Sequence, residues 1–176
     1  MRNFFALLAA CVTGASAYSS FVIPTLTAHQ PIGSGSTNFY LIEFDIQSVN
    51  SGNQRSAYCL KSWGDNGWSR PEAYSVNVPT GEWFKCDSAR GTYDGASAFS
   101  FQLHPYFSIG NFSLSVKEDL KEGSSISGFR EINNGTDQFV CDINPAEWFP
   151  AQHAHGDCKI PEKADPFQIS VSQAAA

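Results

Sequence analysis

Residues 39–49, FYLIEFDIQSV, decide the fold class. Tyr40, Ile42, Phe44 and Ile46 fall on one face of an extended chain. Glu43, Asp45 and Gln47 share the other face with Phe39 and Leu41. Successive side chains of a strand point to opposite sides, so this alternation belongs to a strand with one buried face. The same period returns in residues 73–78 (Tyr74, Val76, Val78), 98–103 (Phe99, Phe101, Leu103), 111–116 (Phe112, Leu114, Val116) and 166–172 (Phe167, Ile169, Val171). SISGFREI (125–132) and DQFVCDI (137–143) read as weaker strands.

The polar partners in these runs are mostly serine and asparagine, which disfavour helix interiors. Between the runs lie turn-forming stretches such as PIGSGS (31–36), GDNG (64–67), PTGE (79–82) and NNGTD (133–137). Short strands at this spacing predict an all-β, single-domain antiparallel β-barrel or barrel-like sandwich. One short helix is expected near Asn144–Phe149, with Asn144 as N-cap and Pro145 in its first turn.

The N-terminus sets the redox compartment. Residues 1–17, MRNFFALLAACVTGASA, carry Arg2, an apolar run from Phe4 to Val12, and the small-x-small end Ala15-Ser16-Ala17. That order is a secretory signal peptide, and the run is too short to span a bilayer. The expected organisation is a signal peptide at 1–17, a loosely ordered segment at 18–36, a β-barrel domain at 37–172 and a tail at 173–176. No other stretch is apolar enough to serve as a membrane anchor. Loss of Arg2 leaves 10 basic residues against 17 acidic ones, a formal charge near −7. The basic residues fall singly, so neither nucleic acid nor an anionic membrane surface is an expected partner.

Cys11 leaves with the signal, and Cys59, Cys86, Cys141 and Cys158 remain. An even count in a secreted chain reads as two disulfides with three possible connectivities. Pairing Cys59 with Cys86 and Cys141 with Cys158 closes the two shorter loops and is favoured. In the chain-entropy model each bridge would contribute about 3 to 3.5 kcal/mol. Sequons occur at Asn111 and Asn134, and Asn134, in the turn-like NNGTD, is the better glycosylation candidate.

Residues 153–158, HAHGDC, invite a metal reading, since His153, His155, Asp157 and Cys158 are all ligand types. A Cys158 committed to a disulfide is lost as a thiolate ligand, and the stretch lacks strand periodicity. It is therefore read as the end of a disulfide-closed loop, with no metal and no cofactor. Paired catalytic carboxylates, a G-x-S-x-G elbow and a phosphate-binding glycine loop are all missing from the sequence, so no catalytic residue is assigned and an enzyme is not expected. The tryptophans remain. Trp63 and Trp68 lie in a glycine-rich stretch, where they would serve as a ligand-stacking pair. Trp83 and Trp148 could join that platform; the packing alternative sets them beside the disulfides, with Trp63 and Trp68 covering the barrel end.

Cysteine order and strand pattern together carry a family resemblance. FYLIEFDI (39–46) precedes Cys59, GEWFKC (81–86) ends in Cys86, and FSFQL (99–103) and FSLSV (112–116) follow. FVCD (139–142) contains Cys141, and Cys158 precedes FQISVS (167–172). Over about residues 37–172 this resembles the fungal secreted family of the major Alternaria allergen, which includes elicitors of plant defence. The resemblance implies a compact β-barrel with first-to-second and third-to-fourth cysteine pairing. It also implies an effector-like role in virulence or plant immunity, with no catalytic residues to transfer. The implied partner is a host extracellular (plant apoplastic) protein or a wall glycan. A carbohydrate- or small-ligand-binding module using loop tryptophans is the alternative. Some members dimerise through an extra N-terminal cysteine that the mature chain lacks, so a monomer or non-covalent dimer is expected. The segment from Cys59 to Cys86 is also long for the family.

Overall fold

The computed structural model describes residues 20–30, 39–50, 53–64, 81–86, 98–120, 123–135, 138–144 and 155–175. These residues form an antiparallel, nearly closed barrel with no α-helix among them. The strands are β1 (Ser20–Gln30), β2 (Phe39–Asn50), β3 (Asn53–Gly64), β4 (Phe84–Lys85), β5 (Phe99–Ser108), β6 (Asn111–Asp119), β7 (Ser125–Asn133), β8 (Val140–Asn144), β9 (His155–Lys159) and β10 (Phe167–Ala175). Around the wall the order is β3-β2-β1-β10-β7-β6-β5-β4, with β9 pairing β1 and β8 pairing β9 as a side branch.

The alternation in residues 39–49 is realised as expected. Ile42, Phe44 and Ile46 are fully buried, while β2 is laddered to β1 on one side and β3 on the other. Phe21, Phe99, Phe101, Phe112 and Phe139 complete an aromatic interior. Edge-to-face contacts span the barrel, Phe44 to Phe101 at 5.1 Å and Phe21 to Phe99 at 6.5 Å. Each such buried side chain contributes about 1.5–3 kcal/mol. The outer wall carries Thr25, Glu43, Asp45 and Lys117 instead. A barrel that crosses a membrane has the reverse polarity, apolar outside and polar within.

β3 and β4 end the strand order, so no ladder joins them. Side chains close this seam. The Cys59–Cys86 disulfide crosses it, the Lys61 ammonium lies 4.2 Å from the centre of the Phe84 ring, and Arg55 Nη1 meets Glu118 Oε1 of β6 at 3.1 Å. The second disulfide, Cys141–Cys158, joins directly paired residues of β8 and β9. Both pairings are the favoured ones.

Two expectations are corrected. The segment 18–36 is not loosely ordered throughout, because Ser20–Gln30 is a central strand, pairing β2 along one edge and β10, then β9, along the other. Its alternation is hidden by a bulge. Phe21 and Ile23 face inward, the register slips between Val22 and Thr25, and Leu26 and Ala28 face inward on the opposite parity. Pro24, which has no N–H to give a ladder, sits at that slip. The tail boundary also moves, since β10 continues to Ala175, with Gln173, Ala174 and Ala175 paired to Ser127, Ile126 and Ser125. Backbone pairing needs no apolar side chain, so SQAA gave no sign of it. Charge also enters the interior of β6. Glu118 is fully buried against Arg55. Asn144 ends β8, and the rest of the expected helix, residues 145–149, lies outside the described residues, as does the expected strand at 73–78.

Candidate functional site

The outer wall formed by β6, β7 and β10 carries a groove of about 190 Å³ lined by Trp83, Ser115, Ser127, Gly128, Phe129 and Ser172. Its origin is local. Ser115 and Phe129 are directly paired across β6 and β7, and Ser127 and Phe129 share one face of β7 by the two-residue period. Trp83 enters from the residue before β4. Both aromatics stand in solvent, Trp83 at 45% and Phe129 at 49% exposure, against a barrel whose other large rings are mostly interior. Two exposed rings over a floor of hydroxyls are not explained by packing.

Charge sits at one end of this groove. Lys117 Nζ is 5.9 Å from the centre of the Trp83 ring and 3.0 Å from Asp119, which also meets Lys85 Nζ at 2.8 Å. Hydrogen bonds from Lys85 and Lys117, together with their positive charge, hold the Asp119 carboxyl below the usual carboxylate range despite slight desolvation. The Lys85–Asp119–Lys117 chain thereby fixes the ammonium that faces the indole. The arrangement offers ring faces for stacking and hydroxyls for hydrogen bonds.

A second groove of about 230 Å³ lies on the β1-β2-β3 wall, lined by Thr25, Thr27, Glu43, Phe44, Asp45 and Tyr58. Its polar groups are largely spent on one another. Thr25 Oγ1 donates to Asp45 Oδ2 at 2.7 Å and accepts from the Asp45 N–H at 3.2 Å, and the Tyr58 hydroxyl donates to Glu43. These bonds brace adjacent strands.

Of the expected stacking pair, Trp63 is not at the surface. Trp63 is 7% exposed, stacked on Tyr40 at 5.7 Å and edge-on to Tyr106 at 5.6 Å. It faces the core because it lies four residues from Cys59 on the same strand, hence on the same side. Burial, with Tyr40 adding to it, pushes the Tyr106 phenol well above its ordinary value. Trp68 and Trp148 lie outside the described residues. Trp83 is three residues from Cys86 but exposed, contrary to the packing alternative. The signal that sequence reasoning passed over is the apposition of Trp83 and Phe84, one of which must face out.

The stretch 153–158, read as a loop end, enters strand β9 at His155. Cys158 is in its disulfide, and Asp157 Oδ1 lies 2.8 Å from His29 Nδ1 across β9 and β1. His155 opens β9, and His153 lies outside the described residues. His29 is therefore a strand residue rather than part of a loose head. His104 is exposed within β5, which continues past the cis His104–Pro105 bond to Ser108. Among the described residues, no three metal-type side chains gather. Both sequon asparagines, Asn111 and Asn134, are exposed and stand at the same end of the barrel, since Asn111 pairs with Asn133. Comparison with family profiles, curated proteins and solved structures finds no match to the chain.

Proposed function

We propose that this is a secreted, non-catalytic binding protein of the effector or elicitor kind, and that it engages a cell-wall carbohydrate through the Trp83–Phe129 groove. The observation that carries the reading is the exposure of these two rings over Ser115, Ser127 and Ser172. A pyranose ring presents an apolar C–H face and a hydroxyl rim, and such a groove complements both. The two disulfides are consistent with an extracellular protein, and the signal-like residues 1–17 support export. The cysteine and strand pattern of the fungal elicitor family supports the same assignment.

A glycan array followed by tryptophan-fluorescence titration tests the proposal. Trp83→Ala or Phe129→Ala should weaken binding roughly tenfold, about 1.4 kcal/mol, which is within the range of one aromatic contact. Trp83→Ala should also remove the fluorescence response. An array with no glycan bound, or binding unchanged in both variants, would defeat the carbohydrate assignment.

A host-protein partner is the second reading. Phe107 is 72% exposed near the barrel end, and exposed aromatics anchor protein interfaces. Capture from apoplastic fluid by the wild type, lost in Phe107→Ser, would favour it.

A further inference from the structure

We propose that Asn134 carries an N-linked glycan that caps the free edge of β8. The inference rests on the export proposed above, because the modification belongs to the secretory route. Asn134 is exposed in a turn held by its own N–H donating to Gly110 O at 2.7 Å and by the Gly135 N–H donating to Phe139 O at 2.9 Å. Gly135 has φ +79°, a conformation glycine adopts without strain. The Asn134 side chain is oriented by one contact, the Cys141 N–H donating to its Oδ1 at 3.1 Å. A backbone N–H requires an acceptor, so the oxygen faces Cys141 and the amide nitrogen is the atom left to react.

The same contact locates the exposed edge. The Cys141 N–H points away from β9, and ladder directions alternate, so the backbone groups of Ile143 point away too. Among the described strands β8 pairs only with β9, and Val140 and Ile143 are 52% and 37% exposed. A strand edge with exposed apolar side chains, whose outward N–H and C=O groups meet no other strand among the described residues, is a template for a second chain. Asn134 already occupies the partner's position at Cys141, and a glycan on its nitrogen extends that cover while leaving Oδ1 in place.

The chemistry balances with a polyprenyl-diphosphate-linked oligosaccharide as donor. Nδ2 bonds to the anomeric carbon, the anomeric C–O bond to diphosphate breaks, the nitrogen loses one proton, and the lipid diphosphate leaves with the electron pair. Asn111 lies at the same barrel end, about four residues along β6 from Ser115, roughly 13 Å in an extended strand. Both sequons therefore stand apart from the Trp83–Phe129 groove.

The test uses the full chain and, in parallel, the chain with residues 1–17 exchanged for a heterologous leader, secreted from a glycosylating host. The exchange separates failure of export by the native leader from failure of modification. Intact mass before and after peptide-N-glycanase, with peptide mapping, should place one oligosaccharide on Asn134. Thr136→Ala removes the acceptor signal but keeps Asn134 and its bond to Cys141. That variant should lose the glycan and double its light-scattering mass as concentration rises, and adding Ile143→Lys should return it to a monomer. An unmodified Asn134 in the leader-exchanged chain overturns the site. A Thr136→Ala protein that matches wild type in mass of assembly, or association that persists with Ile143→Lys, overturns the cap.

Discussion

Replacing Cys59 and Cys86 by alanine should cost more stability than replacing Cys141 and Cys158, and by more than loop length explains. The bridges span 27 and 17 residues of sequence. Loop entropy alone assigns them about 3.5 and about 3.1 kcal/mol, a difference of only ~0.4 kcal/mol. Their positions differ far more than their loops. Cys141 and Cys158 join strands already held by five paired positions. Cys59 and Cys86 cross a seam that has no ladder, where Lys61 over Phe84 and Arg55 against Glu118 are the remaining ties named above. If the seam parts, the cation–π contact, about 0.5–1 kcal/mol, goes with it, and water gains access to the Arg55–Glu118 pair. The Cys59→Ala/Cys86→Ala protein should therefore lose about 4–5 kcal/mol, a large share of a typical 5–15 kcal/mol. The other double variant should lose about 3 kcal/mol. Urea unfolding under non-reducing conditions measures both. Hydrogen exchange should quicken through β3, β4 and β5 in the first variant and stay confined to β8 and β9 in the second. Losses within ~0.4 kcal/mol of each other, with exchange changes local in both, would show that the seam does not depend on its staple.

Glu118→Gln should destabilise by about 3 kcal/mol, because it strands a partly buried Arg55 charge. Arg55→Met/Glu118→Leu should cost less than that single change, and a double-mutant cycle in urea decides whether it does. Gly128→Ala should cost about 1–3 kcal/mol. Its new Cβ would lie 2.6 Å from Ser170 O and 2.7 Å from Ile169 Cγ2, and the former is backbone; the urea midpoint reports the loss. Asp119 has a lowered folded-state pKa, so its contribution is present above the unfolded carboxylate value and disappears as pH falls through the lower folded one. With 40% of the Asp119 side chain exposed, Asp119→Asn should reduce the acid dependence of the urea midpoint by only a fraction of a kcal/mol, and less in high salt.

Where burial is one-sided and the strand long, alternation alone was enough to read. The inward faces of β2, β5, β6 and β10 were legible for that reason, whereas Trp63 was misread as a surface ring because its even spacing from Cys59 along β3 was not used. β1 was not legible because the slip at Pro24 reverses parity halfway along it. β4 is two residues long, too short for a period, so the adjacency of Trp83 and Phe84 required one ring to face out without saying which. Glu118 followed Val116 on the inward parity of β6, but the arginine that makes its burial tolerable sits 63 residues away on another wall. The groove combines residues from β6, β7, β10 and the approach to β4, and such a convergence is a property of the closed wall rather than of any segment.

A backbone ladder accepts only discrete alignments, and a shift of one residue exchanges the two faces of a strand. The junction between β3 and β4 is free of that rule, since a sulfur tether fixes one separation and no register. Chain inserted between Cys59 and Cys86 can accordingly grow or shrink by odd or even steps without inverting the neighbouring wall. The tether therefore leaves the length of chain between β3 and β4 unconstrained by register, which opens that connection to insertion, deletion and diversification.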